Sequence, residues 1–175
     1  MPDADPALTD DLVLLKDVAR EAGGIAMRYF GRSPEVWMKG GHSPVSEADY
    51  AVDRFLRETL LAARPGYGWL SEETAADESR LSARRTFVVD PIDGTRAFLD
   101  GRSTWCVSVA VVEDGVPVCG VLDCPAKNSV FSAGHGGGAW QDGRAIHVRT
   151  PPPHPVIGGP QALFGELPQP LRPRR

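Results

Sequence analysis

The hydrophobic period of the chain changes near Gly66, and that change limits what the sequence can fold into. Before it, apolar residues at Leu8, Leu12, Leu15, Val18, Ala19, Ala22, Ile25, Ala26 and Tyr29 recur every three or four positions, the spacing that gives a helix one apolar face. A break at Gly31 and Pro34 and a Gly40-Gly41 turn precede a second helical pattern, Ser46 through Val52, Phe55, Leu56 and Leu60, with Ser46 as its N-cap. After Gly66 the pattern is that of strands, with runs at 69–71, 86–90, 103–113, 116–124 and 129–133. Asp114-Gly115 is a tight hairpin signal, and the glycine cluster 134–138 with the Asp142-Gly143 turn carries the meander to about Val148. The expected fold class is α+β: two helices, then an antiparallel sheet.

One domain over residues 1–150 follows, because the last 25 residues have a different composition. Residues 151–175 hold eight of the sixteen prolines and a single acidic residue, Glu166. Such a proline load forbids regular helix and central strand. This tail is expected to be disordered, and it has the look of a truncated or out-of-frame ending.

The charge balance narrows the partners. A net charge of −4 offers no basic field to hold a nucleic acid polymer. No run reaches the roughly eighteen apolar residues of a membrane span, and the acidic start Met1-Pro2-Asp3-Ala4-Asp5 is unlike a secretion signal. A cytoplasmic location is the expectation. Cys106, Cys119 and Cys124 lie in apolar runs and are odd in number, so they read as buried reduced thiols.

Chemistry concentrates at Asp90-Pro91-Ile92-Asp93-Gly94-Thr95, which follows the apolar run Thr86-Phe87-Val88-Val89. Pro91 keeps Asp90 extended and lets the chain turn so that both aspartates face one point. Glu72 and Glu73 close another apolar stretch, Gly68-Trp69-Leu70-Ser71, so a second strand can bring more carboxylate to the same edge. Converging carboxylates must protonate or bind a cation, and an all-oxygen set without His or Cys selects Mg²⁺, Ca²⁺ or Mn²⁺ over zinc. Mg²⁺ fits best, since it binds through a few carboxylates, keeps several waters and joins substrate phosphate oxygens. Gly94 and Thr95 at a strand-to-helix junction can aim backbone N–H groups at such a phosphate, with Phe98 and Leu99 anchoring the short helix to the core. The plain alternative is an Asp-Pro and Asp-Gly turn of the sort that ends many strands.

At these residues the chain resembles the inositol monophosphatase superfamily, the Mg²⁺-dependent, lithium-sensitive phosphatases. Pro44-Val45-Ser46-Glu47-Ala48-Asp49, Ser71-Glu72-Glu73-Thr74, the stretch 105–125 and Gly136-Gly137-Gly138-Ala139 extend the likeness over about residues 8–148. The resemblance implies the N-terminal half of that family's layered α/β sandwich. It implies that Glu72, Asp90 and the Ile92 carbonyl hold a first metal, that Asp90 and Asp93 serve a second, and that Asp93, Gly94 and Thr95 meet the phosphate. Thr95, hydrogen-bonded to Asp49, would orient or deprotonate the attacking water. Asp49 also stands three residues after Ser46, a capping-box position that accounts for it without catalysis.

Glu73 reads as an outward-facing strand end, Trp105 as core or rim, and Arg96 and Arg102 as surface residues. The family's Trp-Asp pair, which completes the second metal site, has no counterpart here: the tryptophans are followed by Met38, Leu70, Cys106 and Gln141. The implied activity is hydrolysis of a small-molecule phosphate ester of the inositol monophosphate type, with 3′(2′),5′-bisphosphate nucleotidase or histidinol-phosphatase as alternatives. The contrasting class is a catalytically incompetent metal-binding fragment whose open sheet face seeks a second subunit, forming a homodimer.

Overall fold

The computed structural model describes residues 6–40, 43–74 and 78–150; the proline-rich tail, 151–175, lies outside them, as does Gly41 of the expected turn. Helix α1 is Pro6–Met27, and strands β1 (Val36–Lys39) and β2 (Ser43–Ser46) lead into helix α2 (Glu47–Ala63). Strand β3 (Gly68–Ser71), a short 3₁₀ turn at Glu78–Ser82 and strand β4 (Arg85–Asp93) follow, then helix α3 (Thr95–Leu99). A meander ends the described chain: β5 (Cys106–Glu113), β6 (Val116–Cys124), β7 (Ser129–Gly134), β8 (Gly138–Gln141) and β9 (Arg144–Ile146).

The main sheet runs in chain order from β3 to β9. From β4 onward its neighbours are antiparallel, as the alternation and hairpin signals require. Asp114-Gly115 and Asp142-Gly143 both have positive φ, the geometry that matches a two-residue turn to the twist of its strands. The first pair departs from the expectation of an all-antiparallel sheet: β3 and β4 are parallel. Parallel neighbours need a crossover rather than a hairpin, and the stretch between Ser71 and Arg85 supplies it. The small β1–β2 hairpin, antiparallel from Val36↔Ser46 to Lys39↔Ser43, falls where the sequence shows only a break. Its four-residue strands are too short to register as a period.

Both helices lie on one face of the sheet. Leu15, Val18, Ala19, Ala22 and Ala26 of α1 and Val52, Leu56 and Leu60 of α2 are buried against Phe87, Val89, Val107, Val109, Val111 and Val121. At the end of the sheet away from the Asp-Pro motif, Asp11 is buried and accepts hydrogen bonds from Arg64 (2.9 Å), Tyr67 (2.8 Å) and Arg85 (3.3 Å). That network ties α1 to the end of α2 and the start of β4. The other face of the sheet carries Leu122 and Ile146, each more than a third exposed, along a groove of about 500 Å³. No helix among the described residues is long and apolar enough to cross a membrane.

Candidate active site

The parallel pairing of β3 and β4 puts the C-terminal ends of both strands at one edge, with Ser71 opposite Val89. The next residues are Glu72 and Asp90, and the Glu72 N–H donates to the Val89 carbonyl at 3.2 Å. Their side chains meet: Asp90 is in hydrogen-bond contact with Glu72. Burial first, then Glu72, with Asp93 and Asp49 adding to the negative field, pushes the Asp90 carboxyl up to about 7.

Asp93 reaches the same face through an irregularity. Asp90 pairs with Ser108 and Asp93 with Cys106, so three steps on β4 oppose two on β5. Because strand side chains alternate, residues three apart would face opposite ways in a regular strand. The bulge at Pro91-Ile92 restores Asp90 and Asp93 to one side. Asp93 Oδ2 lies 3.9 Å from the Cys106 thiol, which donates to it.

Gly94 makes the turn into α3 with φ +91°, and a Cβ placed there would stand 2.8 Å from the Thr104 carbonyl. Gly94→Ala is therefore expected to destabilise the domain by roughly 1–3 kcal/mol, as a side chain forced into a left-handed position does. Urea unfolding is the measurement. Thr95 opens α3, and its hydroxyl donates to the Ile92 carbonyl at 3.0 Å with Asp49 Oδ1 as a second acceptor 3.4 Å away.

Asp49 is 1% exposed. Its Oδ2 accepts from the Ser46 backbone N–H (2.8 Å) and the Ser46 hydroxyl (2.6 Å), while Oδ1 faces Thr95. One carboxylate thus closes the helix cap with one oxygen and addresses the site with the other, so the two readings of this residue are compatible. Burial raises its pKa, and the Ser46 hydrogen bonds offset part of that.

The structure corrects Glu73. Its side chain is 5% exposed, not turned outward, and is ion-paired to Lys39 Nζ at 2.9 Å. Lys39 also donates to the Glu72 carbonyl, so the β1–β2 hairpin is pinned over the acidic edge by its only ammonium. Asp53, also buried, accepts from the hydroxyls of Ser71 and Thr74 and so fastens the loop carrying Glu72 to α2. Neither Lys39 nor Asp53 was singled out in the sequence. For Asp53 a signal existed: it stands four residues after Asp49 on the apolar face of α2, where a carboxylate needs a partner.

Trp105 is core, 3% exposed and packed edge-on against Phe98. Arg102 is surface-exposed and paired with Asp100. Cys106 and Cys119 are buried free thiols, while Cys124 is only half-buried.

Among the described residues no three His, Cys, Asp or Glu side chains already form a cage for an ion. Asp90 with Glu72, the nearby Asp93 and the Ile92 carbonyl nevertheless make an all-oxygen donor set whose carboxylates repel one another. Such a set fits a hard divalent cation that keeps several of its own waters.

Comparison with known proteins identifies a family. The sequence model of the inositol monophosphatase family matches residues 8–162. A histidinol-phosphatase of Chlorobaculum parvum is 35% identical over 81% of this chain and 54% of its own length. An inositol-1-monophosphatase of Mesorhizobium japonicum is 37% identical over 78% of this chain and 52% of its own. Among solved structures, the Thermotoga maritima IMPase superposes with a TM-score of 0.75 at 30% identity, over 80% of this chain and 54% of that one. The chain thus spans about half the length of the curated relatives it matches. Sequence and fold agree: the chain belongs to the inositol monophosphatase family.

Proposed function

We propose that this chain carries a phosphomonoesterase site that hydrolyses a small phosphate ester of the inositol monophosphate type with Mg²⁺, its family-like domain being residues 1–150. The observation that carries the reading is the Thr95 hydroxyl, held between the Ile92 carbonyl and Asp49 Oδ1 beside the Glu72–Asp90 pair. Glu72, Asp90 and the Ile92 carbonyl would hold one cation, and Asp90 with Asp93 a second. Bound there, the cations supply Lewis-acid stabilisation of charge on the phosphoryl and leaving oxygens.

The protein's own contribution is positioning and proton transfer. Thr95 Oγ1 orients a water against phosphorus and passes its own proton to Asp49 Oδ1 as it takes one from that water. A buried carboxyl with a raised pKa is suited to receive it. Backbone N–H groups at Gly94 and Thr95 face the phosphate oxygens. Lys39 and Asp53 keep the Glu72 loop in place.

The relatives include proteins named for inositol 1-phosphate and for histidinol phosphate, and both esters belong in the assay with adenosine 3′,5′-bisphosphate. Phosphate release by the purified chain that requires Mg²⁺, is suppressed by lithium and disappears in Asp93→Asn is the expected result. Divalent binding without release from any of the three esters would instead support the noncatalytic metal-binding reading, which the open face at Leu122 and Ile146 also favours. No divalent binding by folded protein would reject both.

A further inference from the structure

On the helix side of the sheet a second polar site shares no residue with the acidic edge. A cavity of about 590 Å³ opens between α1 and the β6–β7 and β8–β9 turns, with Lys16 and Arg20 on one wall and Asp123, Asn128, Ser129 and Asp142 around the rest. That size is in the range of small-ligand pockets, roughly 300–1,000 Å³.

The groups in it are unequally satisfied. Asp142 is committed, accepting from the Val130 N–H at 2.7 Å and the Ser129 hydroxyl at 2.9 Å. Asp123 is 5% exposed, yet accepts no hydrogen bond from a described residue. Burial pushes its carboxyl up to about 6, against the attraction of Arg20. Its Oδ2 lies where a Cβ on Gly23 would be, 2.1 Å away, so it rests on bare helix backbone. Gly24 opens onto the cavity with nothing near it. Two glycines inside a helix cost about 1 kcal/mol each relative to alanine, and only Gly23 is required by packing. Lys16 and Arg20, four apart on α1, are like charges on neighbouring turns, which repel.

A simple cation would be repelled by Lys16 and Arg20, and a simple anion by Asp123. A molecule with both charges answers each: a donor for the buried carboxylate and an anionic group for the cationic wall. We propose that this cavity binds a small zwitterion, an α-amino acid, with its ammonium on Asp123, its carboxylate at Lys16 and Arg20, and its side chain over Gly24. The inference is independent of the phosphatase reading.

The test is calorimetric titration of the full chain with each of the twenty common L-amino acids, and with acetate and methylammonium as single-charge controls. At least one amino acid is expected to bind with a millimolar or tighter constant, and both controls about tenfold or more weaker, a tenfold change being about 1.4 kcal/mol. Asp123→Asn, which removes a charge that burial disfavours, is expected to stay folded and lose about tenfold in affinity. Gly24→Leu should block the cavity without touching Asp123, and Lys16→Gln with Arg20→Gln, on the outer wall, should reproduce the loss. No titration by any amino acid up to about 10 mM, a weak-binding limit near −3 kcal/mol, would overturn the assignment. So would unchanged affinity in Asp123→Asn, or acetate binding as well as the amino acid.

Discussion

Asp90→Asn is expected to raise the Mg²⁺ concentration needed for half-saturation by at least about a hundredfold, since removing even an outer-shell partner of a metal ligand costs roughly 10–100-fold. The same substitution should leave the metal-free fold as stable or more so. Asp90 is half-buried, with Glu72, Asp93 and Asp49 adding to the negative field around it, and asparagine keeps the shape while deleting a charge that its neighbours oppose. The opposite signs are diagnostic. A carboxylate present only to end a strand would change neither quantity much, and one needed for folding would lower stability. Calorimetry with Mg²⁺ and Mn²⁺, alongside thermal unfolding without metal, measures both. Unaltered metal affinity in the variant would remove Asp90 from the site.

Phe98→Ala should be the most damaging core substitution at the site, at about 3–5 kcal/mol. Phe98 is 1% exposed and packs against Trp105 at 4.9 Å and Phe30 at 5.5 Å between ring centroids. Helix α3 has five residues, too few to hold itself together by backbone hydrogen bonds alone. Its orientation, and with it the position of Thr95, depends on this anchor. For a domain whose total stability is about 5–15 kcal/mol, the loss is a large fraction. Urea unfolding should show it, and Phe98→Leu, which keeps most of the volume, should cost markedly less. Equal losses in the two variants would mean that ring packing does not anchor α3.

Several features were legible because their signals are local. The capping box of Ser46 and Asp49, the two Asp-Gly hairpin turns and the Asp-Pro motif at the end of β4 each depend on residues within a few positions of one another. The interactions that hold Glu72 were not legible. Lys39 meets Glu72 and Glu73 across more than thirty residues, and Asp53 meets Ser71 across eighteen. Glu73 went astray for the same reason: its partner belongs to a hairpin whose four-residue strands leave no periodic trace.

The amino-acid order by itself determined the helix and strand periods, the donors available at Asp90, Asp93 and Glu72, and the preference of such oxygens for a hard cation. Only the tertiary structure decided that β3 runs parallel to β4. Antiparallel pairing would send Glu72 to the far end of the sheet, whereas parallel pairing sets it beside Asp90. The physical reason is that strand direction follows from how the intervening chain crosses over and packs, a property of the whole sheet that no window of sequence contains.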